Sequence, residues 1–257
     1  MKEIRLSSRP AIASLAAAGA GLVAAFVLAP AALLSGTDGS FHGESALTDA
    51  LGRGLMDYWQ GDRPEYPALL AGLVDYWFRW HAIKVLISAL MLVVFALLAT
   101  GLWRGYRYGP ARHAIAAGGA TVLSVLATGV LVLNIQATAV PVVALLPLAD
   151  SDDFVREVRG GLTEPAGHPA LTLLLHEVER YHWVLAALAS AVMVATALAA
   201  AHCWRRRRTG PPRVALMHRT LAVILAVTAT LFLAAAVVST LSAIDPPGAL
   251  LGLLGGG

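Results

Sequence analysis

The sequence predicts an all-α integral membrane protein with five transmembrane helices. Its N-terminus is cytoplasmic, its C-terminus outside, and its two outer loops form amphipathic helices. Three observations carry this. Of 257 residues, 58% are hydrophobic and 14% charged, with a mean hydropathy of +0.69; an average soluble domain is about 25% charged. Five apolar runs, roughly 11–34, 82–102, 114–140, 183–203 and 214–243, carry no charge at their centres. About 20 apolar residues in a helix cross the hydrocarbon core, and a helix satisfies its own backbone there. Finally, the charges sort by segment. Lys2, Arg5, Arg9, Arg104, Arg107, Arg112, Arg205, Arg206, Arg207, Arg208, Arg213 and Arg219 fall on one side of an alternating topology. Short basic loops stay cytoplasmic.

Taken in order, the first span follows a basic N-terminus, and its apolar run outlasts a signal-peptide core, so an uncleaved anchor is expected. The outer segment 36–80 holds Asp38, Glu44, Asp49, Asp57, Asp62, Glu65 and Asp75. Within it, 44–59 places Leu47, Leu51, Leu55 and Trp59 on one helical face, and 67–80 does the same with Leu70, Val74 and Trp77. Short amphipathic helices across the outer mouth are expected, with Gly52, Gly54, Gly61, Gly160, Gly161 and Pro165 as breakers. The second outer segment, 148–181, holds Asp150, Asp152, Asp153, Glu157, Glu164, Glu177 and Glu179, with Leu171, Leu174, Leu175 and Val178 on one face. Cys203 is the single cysteine, so no intrachain disulfide staples these loops.

Residues 103–112 (WRGYRYGPAR) and 204–213 (WRRRRTGPPR) share six of ten positions at an offset of 101. At the same offset His81 falls on His182, and Tyr66-Pro67-Ala68-Leu69 loosely parallels His168-Pro169-Ala170-Leu171. The expected organisation is a parallel repeat of a helical hairpin: 1–112 with outer loop 36–80, 113–213 with outer loop 148–181, then 214–257 as a fifth span and outer tail. The odd spans also end alike, at Pro30, Pro141 and Pro247. Small residues every fourth position (Ala17, Gly21, Ala25; Ala187, Ala191, Ala195, Ala199; Ala222, Ala226, Thr230, Ala234) suggest close helix contacts.

Few residues point to chemistry. His81 and His182 share a depth on two helices and could hold a haem axially. His113, His202 and His218 offer an inner counterpart. Glu179 and His182 form one Glu-x-x-His, half of a carboxylate-bridged metal motif. The simpler role for these histidines is interfacial anchoring, so no cofactor is required and haem is the alternative. Lys84 is expected to snorkel outward, toward Asp75 or a headgroup. Asn134, Gln136, Thr220, Thr228, Thr230, Ser239 and Thr240 are expected to bond between helices. Walker A, nucleophile-elbow and His-Glu-x-x-His patterns do not occur, nor does a mid-membrane acid.

These features favour a non-enzymatic, multi-pass protein of the cell membrane: an interaction, assembly or accessory subunit. It would meet the bilayer and a membrane partner or second copy, with Trp59, Tyr66, Trp77 and Trp80 as contacts. No nucleic-acid partner is implied, because the net charge of +3 is explained by topology. The alternatives are a haem- or metal-binding redox protein using His81 and His182, and a small-molecule carrier or channel.

Overall fold

The computed structural model describes residues 8–35, 44–61, 65–109, 112–149, 152–163, 168–208 and 210–255. Lys2, Arg5, Asp38, Asp62, Pro110, Asp150, Glu164 and Pro165, which enter the expectations above, lie outside the described residues. The described residues form helices α1 (Arg9–Leu34), α2 (Glu44–Gln60), α3 (Ala68–Tyr108), α4 (Arg112–Ala139), α5 (Pro141–Leu145), α6 (Asp152–Thr163), α7 (Pro169–Arg206), α8 (Pro212–Ile244) and α9 (Pro246–Leu253). A 3-10 turn, Leu146–Leu148, follows α5, and no strand occurs among them. Five helices are long and apolar enough to cross a membrane: α1, α3, α4 from His113, α7 and α8. The chain is an all-α membrane protein.

Two helices are longer than expected. Segments 67–80 and 169–181 are not separate helices; each is the opening stretch of a span, in α3 and α7. At 1.5 Å per residue, the 41 residues of α3 reach roughly 60 Å, about twice the hydrocarbon core. The reason is visible locally. A proline stands at or just before each start (Pro67, Pro169), and no proline interrupts either helix afterwards. Once nucleated, helix extends until something stops it. The proline-bearing ends of the odd spans differ as well. Pro30 sits inside α1, whereas Pro141 and Pro246 open new helices.

The chain forms two compact units. One comprises Pro30–Ile83, Asn134–Ala187 and Val237–Gly257, and holds the acidic segments. Its buried core joins Leu51, Leu55, Tyr58 and Trp59 of α2, Leu70 and Leu73 of α3, and Phe154 and Val158 of α6. Val142, Val143 and Leu145 of α5, Leu171, Leu174 and Val178 of α7 and Leu250 of α9 also belong to it. The apolar faces read from 44–59, 67–80 and 169–181 therefore pack against one another. Of the glycines expected as breakers, Gly61 follows the last residue of α2, but α2 runs through Gly52 and Gly54, and α6 through Gly160 and Gly161. Two of them are places of close approach instead. A Cβ on Gly54 would lie 3.4 Å from Leu70, and one on Gly161 would lie 2.9 Å from the Trp59 ring.

The other unit comprises Met1–Ala29, Lys84–Leu133 and Leu188–Ala236, and holds the basic connectors. Trp103 Nε1 donates to Thr121 Oγ1 at 3.1 Å, and Arg213 Nη1 donates to the Gly109 carbonyl at 2.6 Å. The hydroxyls of Thr228 and Thr230 bond back to Ile224 and Ala226 of their own helix rather than across to another. With no water available, the i−4 carbonyl is the nearest acceptor. The small-residue stripes also differ from expectation. Ala17 and Gly21 are exposed, and α1 turns Gly19 toward Phe95, which a Cβ there would approach to 2.6 Å. Ala187, Ala191, Ala195, Ala226, Thr230 and Ala234 are likewise exposed in the single chain.

The two adjacent glycines of α6 give a paired test. Gly160→Ala meets open space and should stabilise by about 0.5–1 kcal/mol, the usual helix-interior gain. Gly161→Ala must displace the Trp59 indole and should cost about 1–3 kcal/mol. Thermal unfolding in micelles, followed by tryptophan fluorescence, checks the order; the reverse order would contradict the packing.

Candidate functional site

The expected outer-side site residues (Trp59, Tyr66, Trp77, Trp80, His81, Glu179 and His182) lie in the unit with the acidic segments, and His113, His202 and His218 in the other. Trp59 is 5% exposed and belongs to the core. Its ring stacks on His168 at 4.2 Å with planes 3° apart, and meets Phe154 edge-on at 6.1 Å. This differs from the expectation of a partner contact: the indole is enclosed by the chain itself. Tyr66 and Trp77 are partly buried against the same core. Tyr66 meets Tyr58 at 5.3 Å. Trp77 stacks with the half-buried Trp80 at 6.3 Å and lies edge-on to His81 at 5.0 Å.

His81 and His182 have different neighbours. His81 Nδ1 is 2.9 Å from Asn134 Oδ1, so with the amide oxygen accepting, that nitrogen carries the proton. Thus Asn134 bonds between helices as expected, and so does Gln136, whose Nε2 donates to the Tyr181 carbonyl at 3.2 Å. Both ring nitrogens of His182 are buried without a hydrogen-bond partner. The ring lies edge-on to Tyr181 at 5.5 Å and borders a cavity of about 560 Å³. Leu241, Ser242, Asp245, Gly248 and Leu253 also line that cavity.

The carboxylate of Glu179 accepts from Trp183 Nε1 at 3.3 Å. Among the described residues, no group of three or more His, Cys, Asp or Glu gathers where a metal could sit. Asp75 pairs with Arg79 at 2.5 Å rather than with Lys84. Lys84 Nζ lies 4.9 Å from the centre of the Phe26 ring.

Sequence reasoning missed two features. The first is Asp245, whose Oδ1 accepts from Gly248 N at 3.2 Å and so caps α9; Asp-Pro-Pro-Gly is a legible helix start. The second is Glu177, whose charge acts on Tyr66 and Tyr58. Burial, then the Glu177 charge, raises both phenols above their ordinary value of 10.0; for Tyr66, Tyr58 adds to this and Arg180 opposes it. The chain matches no protein-family model, no curated protein and no solved structure.

The tyrosines give a signed pH dependence. Below their ordinary value of 10.0 they are neutral, folded or unfolded. Above it the unfolded chain releases protons that the buried rings retain, so stability falls as pH rises. Fluorescence-monitored unfolding across alkaline pH should show this loss, and Tyr66→Phe should flatten it. Tyr58 Oη is buried without a partner, so Tyr58→Phe should be neutral or stabilising by up to ~1 kcal/mol. A large loss on Tyr58→Phe would mean that the hydroxyl is bonded.

Proposed function

We propose that the chain is an accessory or assembly subunit of the cell membrane. In this reading it has a cytoplasmic N-terminus and presents α2 and α6 on the outer side to a membrane partner or a second copy. One observation carries it: the segments joining the spans fold into packed helices with their own buried core, more structure than joining spans requires. Their exposed faces are charged, with Asp49, Arg53 and Asp57 on α2 and Asp153, Arg156, Glu157 and Arg159 on α6. The exposed stripe Ala187, Ala191, Ala195 on α7 adds a lateral face suited to close helix contact. Trp59, Tyr66 and Trp77 serve this function by holding the loop helices rigid, and Trp80 borders the same cluster. In this reading the two hairpins are copies of one unit.

Photo-crosslinkers at Asp57 and at Ala191, activated in native membranes, should each capture a discrete neighbour. A protein that is strictly monomeric, with neither position capturing anything, overturns the proposal.

A second reading is favoured by His182, an imidazole at the edge of a cavity whose two buried nitrogens have no hydrogen-bond partner. In that reading His81, oriented by Asn134, or Glu179 contributes to a haem or metal site. Purified protein should then show a reduced-minus-oxidised haem spectrum or stoichiometric metal, lost in His182→Ala. A featureless spectrum without bound metal eliminates this reading.

A further inference from the structure

We propose that the groove between the end of α7 and the start of α8 binds an anionic phospholipid. One acyl chain lies in the groove, and the phosphate sits among Arg107, His202, Arg206 and His218. The groove is a cavity of about 350 Å³ lined by Ala200, Ala201, Trp204, Ala222, Val223 and Ala226. Its walls are small or branched apolar side chains and one indole, which suits hydrocarbon and offers nothing to a polar solute.

Arg206 follows the α7 stretch that lines the groove, and His218 precedes the α8 stretch. His218, Ala222 and Ala226 are spaced four apart on α8 and so share a face, which carries the groove floor to an imidazole. Arg206, His202 and Arg107 all lie within electrostatic range of His218. Arg107 stands in the last turn of α3 and Arg206 in the last turn of α7, with His202 one turn before it, and His218 lies near the start of α8. The two connectors are pinned together by the hydrogen bond from Arg213 to Gly109.

Among the described residues of the compact unit that holds the groove, no acid balances this charge. The sequence has no Asp or Glu between Asp75 and Asp150, or between Glu179 and Asp245. Beside the groove, the Arg207 guanidinium lies 3.4 Å from the centre of the Trp204 ring, with its Nε buried and unpartnered. Trp204 itself is 48% exposed.

Charge decides the occupant. A zwitterionic lipid would fill the groove but bring no net charge to the cluster. Free phosphate would meet the cluster and leave the groove bare. A second copy inserted the same way would bring its own arginines alongside these. An anionic phospholipid matches both features at once, as basic pockets between membrane helices do.

The test uses the full chain in vesicles of phosphatidylcholine containing either brominated phosphatidylglycerol or brominated phosphatidylcholine. Bromine quenches nearby tryptophan. At equal bromine content the phosphatidylglycerol vesicles should quench more, and Trp204→Phe should remove the excess. Arg206→Gln and Arg107→Gln should each lower the preference about fivefold. Ala201→Leu with Ala226→Leu, at two exposed positions, fills the groove with all charges intact and should abolish the preference. Native mass spectrometry of the unaltered chain should retain phosphatidylglycerol over phosphatidylcholine, a readout that needs no variant to fold. Four results overturn the proposal: equal quenching by both lipids, an excess that survives groove filling, displacement by soluble glycerol phosphate, or dissociation of a homo-oligomer as the effect of filling the groove.

Discussion

A backbone amide in hydrocarbon has no water to bond, and everything else in this molecule follows from that constraint. It forces the apolar runs into helices, since helix is the one local structure that satisfies every backbone group within a single segment. It reaches the side chains too. Hydroxyls on α3, α4, α7 and α8 (Thr100, Ser124, Thr128, Thr196 and Thr228) all donate to a carbonyl one turn back in their own helix. These hydroxyls are thus satisfied within their own span, and spans meet through packing, as Gly19 against Phe95, and through a few hydrogen bonds, as Trp103 to Thr121 and His81 to Asn134.

The same propagation builds the loop core. Because α3 and α7 begin well before their apolar stretches, they carry Leu70, Leu73, Leu171, Leu174 and Val178 to α2 and α6. Burying such a side chain fully is worth about 1.5–3 kcal/mol. A short amphipathic helix in isolation is marginal in water; α2 and α6 hold because α3 and α7 give their faces a rigid surface. Trp59 is central to this, touching His168, Phe154 and Gly161 at once.

Much of this was legible. The five spans follow from run length, and the apolar faces of 44–59, 67–80 and 169–181 follow from their spacing of three and four. The start of α9 is written in Asp245-Pro246. The remainder was hidden for physical reasons. Alanine is so frequent here that spacing alone cannot say which stripe packs: α1 uses Gly19, not Gly21. Glycine signals both breaks and close contacts, and only the neighbouring Trp59 and Leu70 show that Gly161 and Gly54 are contacts. An aromatic near a span suggests an interfacial belt, yet Trp59 is enclosed, because α6 and the start of α7 arrive from far along the chain. That Asn134 orients His81 depends likewise on a contact between helices, which periodicity does not report.

If the two hairpins descend from one ancestor, their contacts have parted. Gly54 and Gly161, matched in the sequence by a following leucine, meet different elements: Leu70 of α3 and Trp59 of α2. His81 is held by Asn134, while His182 faces a cavity with both nitrogens unpartnered. A duplicated unit serving only as a spacer would have no need to diverge at a buried imidazole, because an unpartnered polar group in the interior costs about 1–3 kcal/mol. The asymmetry thus lies in core packing and at one imidazole, whereas the proline starts, the long fused helices and the arginine connectors are common to both hairpins.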